Sequence, residues 1–162
     1  MNIFILDTDI ETCVKYHCNK HVIKMILESN QLLCTAHHLS GNSDSRLLKV
    51  THKNHPCSLW VRESINNYRF LVKLCKSLCA EYTFRYGKIH LHERNGLVDY
   101  LIENVPNLPE GNMTDFKLCM PEEYKIGTDA ISSYRNYYLK GKAHMLDYKK
   151  REIPDWIRTI VD

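Results

Sequence analysis

Several features are missing from this chain, and each absence excludes something. No stretch approaches the roughly 18 to 20 consecutive apolar residues of a membrane-spanning helix, so no bilayer anchor is expected. The opening MNIFILDTDIE has no basic region before its apolar residues and soon meets acids, which is not the pattern of a secretory signal. Among seven cysteines there is no C-x-x-C pair, and seven is an odd number. Cys18, Cys34, Cys75 and Cys79 fall at helical core positions, so reduced buried thiols in a cytosolic protein fit better than a disulfide frame. There is no internal repeat, no low-complexity tract and no linker. Nor is there a dominant charge: the net value is +3, which permits a local nucleic-acid patch without requiring one.

What remains is an ordinary globular composition, 44% apolar and 25% charged over 162 residues. That length suits one domain, 1–162, with a real core. Asn2–Leu6 (NIFIL) reads as a short strand or extended segment. Thr8-Asp9-Ile10-Glu11 is a capping-box pattern that predicts a helix from there to about His38, stopped in the Gly41–Ser45 loop. A second long helix is expected from His55-Pro56 to Gly87, with Pro56 in its first turn. Shorter helices are expected near Leu97–Glu103, over Asp129–Leu139, and in a tail carrying Trp156. Three prolines and two glycines between Val105 and Asp129 predict an irregular crossing. The fold class is therefore mainly α, with long central helices.

The first long helix carries an unusual pattern. His17, His21, Lys24, Glu28, Gln31, Thr35 and His38 follow a 4-3-4-3-4-3 rhythm, which holds them within about 60° on a helical wheel. Val14, Cys18, Val22, Met25, Leu32, Leu33 and Ala36 fill one flank, and Ile23, Leu27 and Cys34 much of the other. A polar seam between two apolar flanks is costly to bury unless it lines a wet cleft or grips a polar ligand. The seam is therefore expected to floor an active or binding site.

Its chemistry can be narrowed by distance. His17 and His21 stand at a two-histidine metal spacing, but Glu28 lies about 10.5 Å further along the axis than His21. Zinc bonds of about 2.0–2.2 Å cannot close over that gap without another segment, such as one bearing His52 or His55. No metal and no cofactor are expected. Glu28, with Lys24 and Gln31 as helical neighbours, suits a general base or a stabiliser of positive charge; a plain Lys24–Glu28 ion pair is the structural alternative. Further along, Asn54 and His55 precede a helix start that would favour phosphate, while Arg62, Asn66 and Arg69 share a helix face. Tyr134, Arg135 and Tyr138 in SYRNYY mix aromatics with a cation, as base-stacking surfaces do and as ordinary helix packing also does.

Taken together, the blocks YHCNKHVIKMILESNQLL, THKNHPCSLWVRESINNYRF and SYRNYY, with the closing Pro154-Asp155-Trp156, resemble the phage pyrimidine-dimer DNA glycosylase (endonuclease V) family and its phage-encoded relatives. His21 and Glu28 stand at that family's separation between a histidine and its catalytic glutamate. The resemblance implies base excision: an N-terminal amine attacks C1′ of a damaged nucleotide, a Schiff base forms, the glutamate assists, and β-elimination cuts the strand. The family exposes a threonine amine, whereas this chain begins Met1-Asn2, and methionine before asparagine is commonly retained. Lys24, if burial lowers its pKa, or water activated by Glu28, would then replace that amine. Catalytic roles thus fall to Glu28, Lys24 and His21. Substrate contacts fall to His17, Gln31, His38, Asn54, His55, Arg62, Asn66, Arg69, Tyr134, Arg135 and Tyr138. The partner is DNA. The alternative is a non-catalytic phage protein on the same scaffold that holds a free nucleotide or nucleotide signal, with Arg62, Arg69 and Arg135 neutralising phosphate.

Overall fold

Asp9, rather than Thr8, opens the first helix: its Oδ2 accepts from the Thr12 backbone N–H at 2.9 Å and from the Thr12 hydroxyl at 2.8 Å. The computed structural model describes residues 1–161, with side chains through Thr159. α1 spans Ile10–Tyr16, and the continuous helix expected as far as His38 breaks there. His17 and Cys18 are extended, and α2 is a separate helix, Asn19–Leu39.

No proline or glycine causes that break; groups from distant parts of the chain hold it. The Cys18 N–H donates to the Tyr138 hydroxyl at 3.3 Å, and the Asn19 N–H to the Asp147 carbonyl at 2.8 Å. A fully buried guanidinium closes the joint. Arg85 donates to the Lys15 carbonyl in the last turn of α1 and to Asn19 Oδ1 at the start of α2, each at 3.1 Å. Its Nε donates to Glu81 at 2.8 Å, and both Glu81 oxygens also accept from Arg151 at 2.9 Å. With five such donors satisfied, the ion cluster escapes the cost of an unpaired buried charge.

The second long helix is also two. α3 (Pro56–Glu63) and α4 (Ile65–Tyr86) meet at Ser64, whose extended backbone ends one and starts the other. Ser64 Oγ accepts from the Asn66 N–H at 3.0 Å and donates to the Gly111 carbonyl at 3.1 Å, while the Ile65 N–H donates to Pro109 at 2.9 Å. The irregular crossing thus supplies the acceptors that let the helix bend. α4 ends as expected at Gly87, which takes a left-handed φ of 66° that glycine adopts without strain. α5 (Leu91–Arg94) and α6 (Leu97–Glu103) follow, then the crossing with a single 3₁₀ turn at Glu122–Tyr124. α7 (Ala130–Gly141) runs through Gly141 instead of stopping before it, and α8 is Asp155–Val161.

α4 is the centre, packing on α1, α2, α3 and α6. Leu71, Leu74, Cys75, Leu78 and Cys79 of α4 meet Ile26, Leu33 and Cys34 of α2 in one buried core. The second flank of α2 is covered only in part: Ile23 and Leu27, expected inside, are 43% and 39% exposed, whereas Cys34 is fully buried. No strand forms among the described residues. Ile3 to Leu6 are buried but pair with no neighbour. Cys13 and Arg135 hold their backbone instead: the Leu6 N–H meets Cys13 Sγ at 3.4 Å, Cys13 Sγ reaches the Phe4 carbonyl at 3.4 Å, and Arg135 Nε donates to the Leu6 carbonyl at 2.8 Å. Among the described residues no helix is long and apolar enough to cross a membrane.

Two buried groups make the fold sensitive to acid. Burial would raise the Glu81 carboxyl, but hydrogen bonds from Arg151 and Arg85 more than offset this and leave it below its ordinary value of 4.5. Its stabilisation is therefore present above about pH 4.5 and lost as pH falls through the folded value. Burial drives His17 down to about 4. A histidine neutral in the fold but protonated in the unfolded chain contributes fully above about pH 6.5 and progressively less toward pH 4, on the order of 2 kcal/mol lost by pH 5. Urea midpoints should accordingly fall between pH 7.5 and pH 5, and an unchanged midpoint would contradict this account. Arg85→Met should cost about 3–5 kcal/mol, because it strips Glu81 of a buried partner and opens the α1–α2 joint. A loss under about 1 kcal/mol in the same assay would show that the joint holds without it.

Candidate active site

Four side chains of α2, His21, Lys24, Met25 and Glu28, recur on one face and line a cavity of about 220 Å³. The opposite walls come from the chain's first residues, Met1, Asn2 and Phe4, and from Tyr137 and Lys142 at the end of α7. The Met1 α-amino nitrogen lies 3.7 Å from Glu28 Oε1, and the Glu28 side chain is 15% exposed. The path of residues 2–6 through the core sets that distance. Asn2 Nδ2 donates to the Cys119 carbonyl at 2.6 Å, and the Arg135 and Cys13 bonds anchor the following residues. An amine and a carboxylate therefore face each other at the mouth of a small polar hollow, with the Lys24 and Lys142 side chains on its walls.

His21 is a rigid wall. Its ring stacks on Phe4, with centroids 4.2 Å apart, and its Nδ1 lies 2.7 Å from the Tyr138 hydroxyl. That hydroxyl also accepts from the Cys18 N–H, so one group ties the imidazole to the joint between α1 and α2. Burial, assisted by the nearby positive charges of Lys142 and Lys24 and by His17, drives His21 down to about 3. It is neutral at neutral pH and has no ionised acid to offer there. Tyr137 forms the facing wall, roughly parallel to Phe4 at 6.2 Å and to Tyr124 at 5.2 Å, with the Lys142 ammonium 5.1 Å from its ring centre. Gly141 makes room for it, since a Cβ there would come within 2.6 Å of the Tyr137 ring.

The rest of the expected seam disperses. His17 sits at the end of α1, not on α2; its Nδ1 bonds the Cys13 carbonyl at 2.8 Å and its Nε2 is buried without a partner. It is therefore neither a second ligand beside His21 nor a substrate contact. Thr35 is buried against the Thr51 carbonyl, and half-buried His38 bonds the Leu48 carbonyl at 2.9 Å, outside the cavity. Gln31 is half-buried and does not line the hollow. Lys24 lines it but is solvent-exposed, so the burial that would make it a reactive amine is missing.

The expected phosphate-binding set is largely engaged inside the protein. Arg62 donates to Ser58 and to the Lys53 carbonyl, and Asn66 to the Gly111 carbonyl. Arg135 binds the Leu6 carbonyl and pairs with Asp7 at 3.0 Å. Arg69 and Asn54 are exposed and away from the cavity lining. His55 caps α3, its Nδ1 accepting from the Cys57 N–H at 3.1 Å, so that helix end is occupied. Burial, then the Met1 ammonium and His52, holds His55 below its ordinary value. Tyr134 and Tyr138 are fully buried and cannot stack on a base. Tyr134 spans to the Lys117 carbonyl at 2.6 Å, and Tyr138 serves the α1–α2 joint. The aromatic at the cavity is Tyr137, which sequence reasoning passed over. The available signal was helical phase: Ile131, Tyr134 and Tyr138 form the core stripe of α7, which leaves Tyr137 at its edge.

An amine and a carboxylate presented to one small hollow can carry imine-forming or acid–base chemistry. Residues 1–94, more than half of the chain, match the family described as pyrimidine dimer DNA glycosylase, and the chain belongs to that family. No curated protein and no solved structure matches it. The matched residues include Met1, His21, Lys24 and Glu28, whereas Tyr137 and Lys142 lie beyond them.

If Tyr138 holds both His21 and the helix break, Tyr138→Phe should destabilise the protein by about 1–3 kcal/mol, because it leaves a backbone N–H and an imidazole nitrogen unpaired in the core. Chemical denaturation measures this, and a change below about 0.5 kcal/mol would remove Tyr138 from the account.

Proposed function

We propose that this chain excises a damaged base from DNA and then cuts the strand, with the Met1 α-amine as nucleophile and Glu28 as its partner. The observation that carries the reading is the 3.7 Å approach of the Met1 amine to Glu28 Oε1 at the mouth of the cavity. An amine attacks only when unprotonated, and a carboxylate at this separation can take its proton through a small adjustment or one water. As nitrogen bonds to C1′, the bond to the base breaks and the base leaves with the electron pair. Ring opening yields the imine, and β-elimination then releases the 3′ oxygen. The Glu28 carboxylate also faces the positive charge that develops at C1′. Neutral His21 and Phe4 pack the wall behind it, and Lys24 and Lys142 are placed to meet phosphates.

Cavity size favours this over capture of a free nucleotide. Sites that bury a whole small ligand are about 300–1,000 Å³, whereas this hollow is about 220 Å³. It suits a reacting sugar carbon while the rest of the nucleic acid lies outside. Lys24 shares the cavity but is exposed, so the α-amine is the better-placed nitrogen.

Three measurements on the full chain with DNA carrying pyrimidine dimers or abasic sites test the reading. Borohydride should trap a covalent protein–DNA adduct, and mass analysis should place it on the first residue. Glu28→Gln should keep the fold and lower base release by about 10²–10⁴-fold. Adding one residue ahead of Met1, which displaces the amine by up to about 3.6 Å, should abolish trapping. Base release without any trapped adduct would assign the attack to water instead, and an adduct on Lys24 would overturn the role of the α-amine.

A further inference from the structure

We propose that His55, Cys57 and Cys119 form a binding site for a thiophilic divalent cation, zinc by its chemistry, in a cavity other than the one Glu28 lines. One ligand atom from each residue lies within 4.8 Å of the other two, and this is the group of histidine, cysteine and acidic side chains that converges in this way among the described residues. The two sulfurs are 3.5 Å apart. Tetrahedral zinc with bonds of about 2.3 Å to sulfur holds two thiolates about 3.8 Å apart, so the sulfurs need move only a few tenths of an ångström, while the His55 nitrogen, within 4.8 Å of both, closes to about 3.5 Å from each. A disulfide of about 2.05 Å would instead require the sulfurs to close by about 1.5 Å.

The nitrogen donor has the right protonation. His55 Nδ1 accepts the Cys57 N–H, so it carries the free lone pair, and the ion exchanges one capping bond for a metal–nitrogen bond. Both thiols lose their protons to solvent on loading. Two sulfurs and an imidazole select zinc over magnesium or calcium. Cys57 is buried, but His55 and Cys119 are half-buried and line a second cavity of about 480 Å³, shared with Asn2 and Met120, which gives an entry route and room for a water as fourth ligand.

Position gives the site a consequence. His55 and Cys57 stand at the start of α3, whereas Cys119 belongs to the irregular crossing, so the ion adds a link at the start of α3 to those that Trp60, Glu63 and Ser64 make with the crossing at its other end. The Cys119 carbonyl also receives the Asn2 side chain at 2.6 Å. The ion therefore fastens the point that holds the chain's first residues in place.

Cobalt(II) titration of the reduced, chelator-stripped full chain tests the proposal without recourse to activity. One equivalent should produce a thiolate-to-cobalt charge-transfer band and intense tetrahedral d–d bands, both bleached by zinc. Cys57→Ser and Cys119→Ser should each lose the bands and weaken binding at least a hundredfold, with circular dichroism confirming the fold. His55→Gln should weaken binding, and Cys75→Ala, which removes a thiol buried in the α4 core, should leave the spectrum intact. Absence of the charge-transfer band in folded wild-type protein would overturn the proposal, as would bands that survive loss of either Cys57 or Cys119.

Discussion

Glu81 and Arg85 sit one turn apart on α4, fully inside the protein, and most of the architecture around the cavity depends on their pairing. Arg85 touches both sides of the gap between α1 and α2, through the Lys15 carbonyl and Asn19. Arg151 grips the same glutamate from the chain's last segment. The cluster therefore ties three separate stretches to the central helix. Removing an ion pair from water is expensive, and here full hydrogen bonding offsets the cost. In return, the gap has a fixed geometry. The direction in which α2 leaves it decides where His21, Lys24 and Glu28 project.

The cavity is assembled on a frame that sheet pairing does not support. Residues 2–6 run extended through the core with no partner strand, and their polar backbone is satisfied by a thiol, a guanidinium and an asparagine side chain. Such a thread has few ways to shift without exposing a buried carbonyl. That rigidity places a terminal amine, normally among the most mobile groups in a protein, within 3.7 Å of a helix-borne carboxylate. The aromatic column of His21, Phe4, Tyr137 and Tyr124 backs the same wall of the hollow.

Family membership and structure bear on different parts of the molecule. The match to pyrimidine dimer DNA glycosylases covers the N-terminal segment, the first five helices and Arg85 with Glu81. The wall formed by Tyr137 and Lys142, and the sulfur of Cys119, come from residues outside it. The portion shared with the family thus carries the amine and the carboxylate, and the remainder shapes what can approach them.

Local physics made much of this legible from the residues alone. Helical periodicity determined a mainly α fold, Gly87 determined where α4 stops, and the spacing of His21, Lys24 and Glu28 determined that they share a face. These depend on groups within a turn of each other. Tertiary structure decided the rest. The breaks at His17 and Ser64 need acceptors and donors from Tyr138, Asp147, Pro109 and Gly111, tens of residues away or more. The seam's other polar residues turned inward because backbone carbonyls there, on Cys13, Thr51 and Leu48, could satisfy them. Whether Tyr134, Tyr137 or Tyr138 meets the cavity depended on how α7 is rotated against the N-terminal thread. A hydrogen bond can be read from sequence only when both partners are neighbours, and in this protein the bonds that shape the site join residues that are not.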